Sequence, residues 1–356
     1  MARAILPRLG SKLKGTIVIK GSDDNGTLRF CREDIDILYE INWQGEELSA
    51  ILDATVATPV FSMDMPVTLW KQNGHLQVEN SLTKLKVPLV ASDDEEEPLQ
   101  FNVGEIKAKA VLPVSSINYL VNVVAAYNKY MPHDAKSILR DTVSIEVAIN
   151  DDSDAVEFYS AASSGAFLCK IQTIDGEIGP GSVVVPSSVF DAIHLLLSGK
   201  EESTFMIHDN FLSVETDKIE SHMLGLHKKM SHPSILEERV VERIPLSNTE
   251  TLVNAVKNLP VVGGIIYFER FANNLAINTE YNSLEASTTI RDLEMIDTTE
   301  KFGLFSSAIT LAQAIDPNGK CEIVHLGERN KALVASNEDK SSIAWMPVLL
   351  SKEELA

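Results

Sequence analysis

The 356-residue chain lacks most of what the common catalytic classes require. Its three cysteines, Cys31, Cys169 and Cys321, are odd in number, far apart and each set among strand-like residues. That pattern favours buried free thiols over a disulfide or a metal site, and it fits a reducing cytoplasm. No apolar run approaches the roughly 18 residues of a membrane span, and Met1 to Gly15 lacks the long apolar core of a secretory signal. A soluble, cytoplasmic protein with no membrane partner is expected. No Gly-rich turn ends in Lys-Ser/Thr and no Gly-x-Gly-x-x-Gly run occurs; Gly10 to Thr16 is only a superficial echo of a phosphate loop. Nucleophile elbows and zinc-protease motifs are absent too. His222, His227 and His232 are five apart, which puts them on no common helix face, and Asp23-Asp24 lacks the remaining ligands of a calcium loop. No metal, no cofactor and no enzymatic activity are expected. Positive charge is also scarce, with 31 Lys and Arg against 51 Asp and Glu and a formal net charge of −20. Such a balance ordinarily argues against nucleic acid, because phosphate affinity rests on Lys and Arg releasing counterions. A net sum, however, does not say where the charges sit, and an acidic outside can coexist with a mildly basic inside.

What the chain does have is a repeat. With 44% hydrophobic residues it can fill two or three domain cores. Five times a strand-like apolar run ends, at Leu52, Leu112, Val185, Ile244 and Leu304, and three residues later stands Thr55, Ser115, Ser188, Ser247 or Ser307. Helix-period apolar positions follow each, for example Ile117, Leu120, Val121 and Val124. A hydroxyl there can cap orphan backbone donors, so each marks a predicted helix start. The spacings are 60, 73, 59 and 60 residues. A unit that cannot bury its own apolar face stacks on its neighbours, and the count is six units with the first cut short.

Thr16 to Lys20 and Thr27 to Trp43 read as strands about a turn whose Asn25-Gly26 supplies positive φ; Asn73-Gly74 marks a second hairpin. Ser92 to Pro98, with five consecutive acids, reads as a solvated linker, and His227 to Pro233 breaks the pattern again. Domains are therefore expected at 1–98, 99–233 and 234–356. Each is a doubled strand-helix-strand-strand-strand unit, and hairpin-linked strands argue for an α+β class with antiparallel sheets carrying helices on one face.

Three tandem doubled units without an active site resemble the bacterial DNA polymerase III beta subunit, the sliding clamp family. Arg3 to Ser11 is similar to the family's Arg-x-x-Leu-Pro-x-Leu-Gly-Asn segment, Val183 to Ser188 to its strand-Pro-helix entry, and Ile343 to Leu350 to its Met-Pro-Met-Arg-Leu ending. The resemblance implies a head-to-tail homodimer, a ring of six domains whose helices line a pore around duplex DNA, bound without regard to sequence. It also implies a DNA polymerase and a clamp loader as partners, captured by short motifs in an apolar cleft. The cleft positions it implies are Ala344, Met346, Pro347, Val348, Leu349 and Leu350, faced by Ser164, Gly165, Ala166, Phe167 and Pro233. DNA contacts would come from Arg3, Arg8, Lys12 and Lys14, and from Lys129, Lys136, Arg140, Lys200 and Lys257 on or just after the helices. Dimerisation would pair the edge strand bearing Lys84, Leu85, Lys86 and Val87 with the partner's strand from Ser283 to Arg291, bearing Glu285, with charge selecting the head-to-tail register.

The chain departs from the family in places. The opening strand and helix of the first domain are missing, the Thr-Asp-Gly-His-Arg run beside the cleft is replaced by Ala161 to Ala166, and Ser351 to Ala356 extend past the usual end. These departures point to a divergent member, bacterial or phage-encoded. Two other readings stay open: a clamp-fold scaffold or decoy for replication factors that no longer encircles DNA, and an acidic enzyme on an α+β scaffold.

Overall fold

The computed structural model describes residues 15–57, 59–60, 63–64, 66–90, 101–131, 143–150, 154–177, 179–197, 199–257, 259, 264–281, 284–327 and 330–349. In chain order the elements are β1 (Thr16–Ser22), β2 (Asn25–Arg32), β3 (Ile35–Asn42), β4 (Leu48–Asp53), α1 (Ala54–Ala57), β5 (Thr68–Gln72), β6 (His75–Glu79), β7 (Lys84–Pro88) and β8 (Ala108–Pro113). Next come α2 (Val114–Tyr130), β9 (Ser144–Ile149), β10 (Ala155–Ala162), β11 (Gly165–Gln172), β12 (Asp175–Glu177), β13 (Gly181–Pro186), α3 (Ser188–Leu196), β14 (Glu202–Ile207), β15 (Phe211–Thr216) and β16 (Ile219–Leu224). The remainder is α4 (Ser234–Glu237), β17 (Glu242–Asn248), α5 (Thr249–Lys257), β18 (Ile265–Ala272), β19 (Asn274–Tyr281), β20 (Leu284–Ile290), β21 (Ile296–Phe305), α6 (Ser306–Ile315), β22 (Lys320–His325), β23 (Lys331–Ser336) and β24 (Ser342–Pro347). The class is α+β, and the strand pairs are antiparallel hairpins and meanders.

Two compact units divide the chain. The first holds Met1–Ile117, Ile149–Asp154 and Thr173–His227; the second holds Asn118–Ala148, Ala155–Gln172 and Lys228–Ala356. In the first, a sheet runs β12-β8-β14-β15-β16-β3-β2-β1-β4, and a smaller one runs β5-β6-β7. The seam between distant segments is β16 against β3, with Ile219 opposite Tyr39 and Met223 opposite Ile35. In the second unit one sheet runs β9-β10-β11-β24-β23-β22-β17 and another β20-β19-β18-β21. Here the distant seam is β11 against β24, and α5 and α6 pack on each other, with α6 also against β23 and β24.

The helices begin within two residues of the predicted hydroxyls, at Ala54, Val114, Ser188, Thr249 and Ser306. At α1, α3, α5 and α6 the predicted hydroxyls are not the caps. Asp53 Oδ1 accepts the Thr55 N–H at 2.7 Å, and Asn248 Oδ1 accepts the Thr251 N–H at 2.8 Å. Ser187 and Phe305 precede α3 and α6 without any side-chain cap bond. The fixed offset therefore records the length of the strand-to-helix corner rather than cap chemistry.

Turn chemistry differs at one hairpin. The β1–β2 turn puts positive φ on Asp23 (46°) and Asp24 (70°), and Ser22 pairs with Asn25, so Asn25-Gly26 opens β2 instead of making the turn. Acidic residues tolerate this region because their short polar chains bond locally. Asn73 (51°) and Gly74 (70°) form the other turn as predicted. Thr27 to Trp43 is two strands, broken at Glu33-Asp34, where Arg32 pairs with Asp34. Cys31, Cys169 and Cys321 are all buried free thiols; burial pushes Cys169 up to about 12 and Cys321 up to about 11. Thiols held in that range carry almost no thiolate at neutral pH, so they pack as small apolar groups. Among the described residues no helix is long and apolar enough to cross a membrane.

Candidate functional site

Strands β11 and β24 meet in the second unit with Ala166 opposite Trp345, Phe167 opposite Ala344 and Leu168 opposite Ile343. Side chains alternate across a strand, so this register sorts the residues into two faces. One face gathers Ala166, Leu168, Ile343 and Trp345 with Tyr159 and Val334 into a buried apolar cluster. Met230, Leu236, Val240, Leu326 and Ala161 lie against that cluster and are only partly buried. The other face carries Phe167, Ala344 and Met346, each 0% exposed, with the Tyr127 ring edge-on to Phe167 at 4.8 Å. Tyr127 and Tyr130 hydroxyls donate to the carbonyls of Gly165 and Ser164 at 2.8 and 2.9 Å. Gly165 has φ +155°, and a Cβ there would stand 2.7 Å from the Tyr130 ring, so the turn before β11 requires glycine.

This sorting divides the residues of the expected cleft between two faces. Phe167, Ala344 and Met346 are wholly buried on the face that Tyr127 covers, and Ala166 is wholly buried on the face it shares with Trp345. The reason is the two-fold period: neighbours along β24 point to opposite faces, so a contiguous run cannot line one groove. Pro347 is exposed, Val348 and Leu349 are half-buried, and Leu350 lies outside the described residues. Val348 N–H donates to the Lys331 carbonyl, and Leu349 exchanges backbone bonds with Gly303 at 2.8 and 3.0 Å, which fixes the exit of the chain. Pro233 is buried at the start of α4.

The segment leading into α4 is tied to this sheet by polar groups. The Met230 N–H donates to Glu146 at 3.2 Å, and the His232 ring stands edge-on to Tyr159 at 4.7 Å. His232 Nε2 is 3.3 Å from Glu157, which also accepts from Lys170 at 2.7 Å. His232 Nδ1 accepts the Ser234 N–H, so a neutral ring carries its proton on the nitrogen facing Glu157. Burial, with the nearby charge of Glu146 second, raises the Tyr159 phenol above its ordinary range.

The expected DNA contacts are divided. Lys129 and Lys257 are exposed in the last turns of α2 and α5. Lys200 instead bonds Asp217 at 3.0 Å, and that ammonium holds the Asp217 carboxyl below the usual carboxylate range. Arg3, Arg8, Lys12, Lys14, Lys136 and Arg140 lie outside the described residues, as does the acidic run before Pro98. For the expected dimer contacts, β7 and β20 are each the outermost strand of their sheet. Lys86 and Glu285 are exposed, Leu85 is half-buried and Val87 is 4% exposed. Lys84 is already engaged, 3.1 Å from Glu79 and 5.0 Å above the Trp70 ring.

Sequence reading missed a polar network on the first unit's sheet. Arg29 and Asp36 form a buried two-bonded pair at 2.8 and 2.6 Å. Beside it a recess of about 110 Å³ is bounded by Leu38, Phe101, Glu220 and His222. Ser213 Oγ lies 3.0 Å from His208 Nε2 and 2.7 Å from His222 Nδ1, and His222 Nε2 lies 3.0 Å from Glu220. The Ser-His-Glu order resembles a hydrolase relay, but Ser213 is 0% exposed, so no substrate reaches its hydroxyl. Among the described residues no group of three or more His, Cys, Asp or Glu is placed to hold a metal.

No protein-family model matches the chain, and no curated protein matches it either. Solved structures do. The DNA polymerase III subunit beta of Pseudomonas aeruginosa is similar with a TM-score of 0.79 at 11% identity, covering 98% of each chain. The fold is that of the bacterial sliding clamps. A putative DNA polymerase III beta subunit from Eubacterium rectale gives 0.75 at 13% identity, over 98% of this chain and 92% of that one. The Helicobacter pylori beta clamp bound to a DNA ligase peptide gives 0.73 at 12% identity, over 94% and 91%. The clamp fold thus accounts for the length of the chain nearly end to end, while the sequence keeps little of the clamps' residues.

Proposed function

We propose that the protein is a DNA sliding clamp, a non-enzymatic processivity factor whose head-to-tail dimer encircles duplex DNA and tethers a DNA polymerase, with a clamp loader placing it. The observation that carries this reading is similarity to clamps over nearly the whole of both chains. Three domains, 1–98, 99–233 and 234–356, follow from the sequence period, and two such chains would supply a ring of six. Unpaired edges on β7 and β20, one with exposed Lys86 and the other with exposed Glu285, support antiparallel joining between subunits. The partly covered apolar face at Trp345, continued by Pro347, Val348 and Leu349, supports capture of short peptides, as the Helicobacter clamp captures one from DNA ligase.

The test is solution mass combined with retention on nicked circular DNA before and after linearisation. A dimer that stays on the circle and runs off the linear form is the expected result. A monomer that never stays on the circle overturns it. Replacing Leu349 with Glu is expected to abolish peptide binding and leave the dimer intact.

One observation favours the second reading, a clamp-fold scaffold that no longer encircles DNA. The chain carries a net charge of −20, and Lys200 is paired with Asp217. A dimer without retention on circular DNA, still binding replication proteins, selects that reading.

A further inference from the structure

We infer that the indole N–H of Trp345 is a specificity-determining donor that bonds to a carboxamide or carboxylate side chain carried by the bound peptide. The inference rests on the peptide-cleft reading above and adds the residue that selects among peptides. Trp345 is 2% exposed, and among the described residues its Nε1 has no hydrogen-bond partner. Buried indole nitrogens ordinarily find one, because a donor taken from water and left unpaired forfeits its hydration without return.

The surroundings explain the vacancy. The cluster around Trp345 is aliphatic apart from Tyr159, whose hydroxyl interacts with Glu146. Glu146 also serves the Met230 N–H, and Glu157 serves Lys170, so both neighbouring carboxylates are engaged elsewhere. Over the cluster lie Met230, Leu236 and Val240, whose side chains offer no oxygen to an N–H. Those covering residues are only partly buried, and a ligand that displaces them exposes an apolar floor holding a single waiting donor. An apolar floor grips any apolar side chain. A lone buried donor discriminates, since a peptide lacking the acceptor leaves the N–H unpaired a second time. Trp345 therefore favours peptides that combine an apolar anchor with an adjacent acceptor over purely apolar ones.

Three tryptophans, Trp43, Trp70 and Trp345, give three indole N–H resonances in the ¹⁵N-labelled full-length chain, and W345F identifies the third. Titration with the DNA ligase peptide is expected to move the Trp345 resonance downfield and leave the other two in place. W345F keeps an aromatic ring in the cluster and removes only the donor; it should bind the peptide about 5- to 10-fold more weakly, with an unchanged or raised thermal midpoint. A merely structural role for Trp345 moves neither reading. Equal affinity in W345F, or an unmoved resonance during saturable binding, overturns the inference. If Leu349→Glu still abolishes that binding, the cleft stands without it, whereas absence of any binding overturns both.

Discussion

The two units treat a sheet face in opposite ways. In the first unit, the face of β2, β3, β15 and β16 that carries Arg29, Asp36, Ser213 and His222 is closed by ion pairs and hydrogen bonds. In the second, the face carrying Tyr159, Leu168, Val334 and Trp345 is closed by apolar contact, and the Trp345 indole N–H has no partner among the described residues. A polar closure is satisfied internally and offers a partner little. An apolar, partly covered closure gains whenever more area is covered, at about 25 cal/mol per Å². The same sheet architecture thus closes one face with polar contacts and the other with apolar ones.

The largest test of this contrast is Asp36→Ala. It leaves the Arg29 guanidinium buried beside an empty position and should cost about 4 kcal/mol in chemical denaturation, whereas the Arg29→Met/Asp36→Leu double replacement should come close to neutral. If the single change costs under 1 kcal/mol, the pair is not what closes the first face. Leu168→Ala removes the equivalent element of the apolar face, 5% exposed, and should cost about 3 kcal/mol through lost contact and the cavity left behind. His232→Ala removes the edge-on ring from Tyr159 and should cost about 1 kcal/mol. It should also loosen amide-exchange protection from Met230 to Leu236; unchanged exchange would show that the ring does not anchor this segment.

The smallest effect concerns Glu215. Burial raises its carboxyl above the ordinary value, the charge of Glu220 adds to this, and His222, Lys109 and His208 oppose it. The folded chain therefore holds that proton more tightly than the unfolded chain. Stability falls as pH rises through the interval between the two values, and the penalty is complete above it. Glu215→Gln should raise the thermal midpoint slightly at pH 7, and the gain should disappear below about pH 4, where the carboxyl is protonated in both states. A gain that persists at low pH would place its origin outside this titration.

Much of the fold was legible. The five apolar runs ending in hydroxyl residues located every long helix described, and hairpin spacing identified the antiparallel class. β16 has a weak apolar signal, broken by Glu220, Ser221 and His222, and yet it is the strand that joins β15 to β3. The cap assignments failed because Asp53 and Asn248 compete better than the hydroxyls for the same donors. Of the candidate site, the C-terminal strand was visible as an apolar stretch, but Trp345 was not singled out and the burial of Met346 was not foreseen. A two-residue period separates two faces without naming which one is covered.

By itself the sequence determined the class, the recurring corner between strand and helix, and the burial of its three thiols, because these depend on residues close together in the chain. The tertiary structure alone decided that Phe167 meets Ala344 while Trp345 meets Ala166. That register joins strands more than 170 residues apart, and no local preference fixes the alignment of edges so distant. From it follows which side of β24 is sealed by Tyr127 and which is left with an open donor.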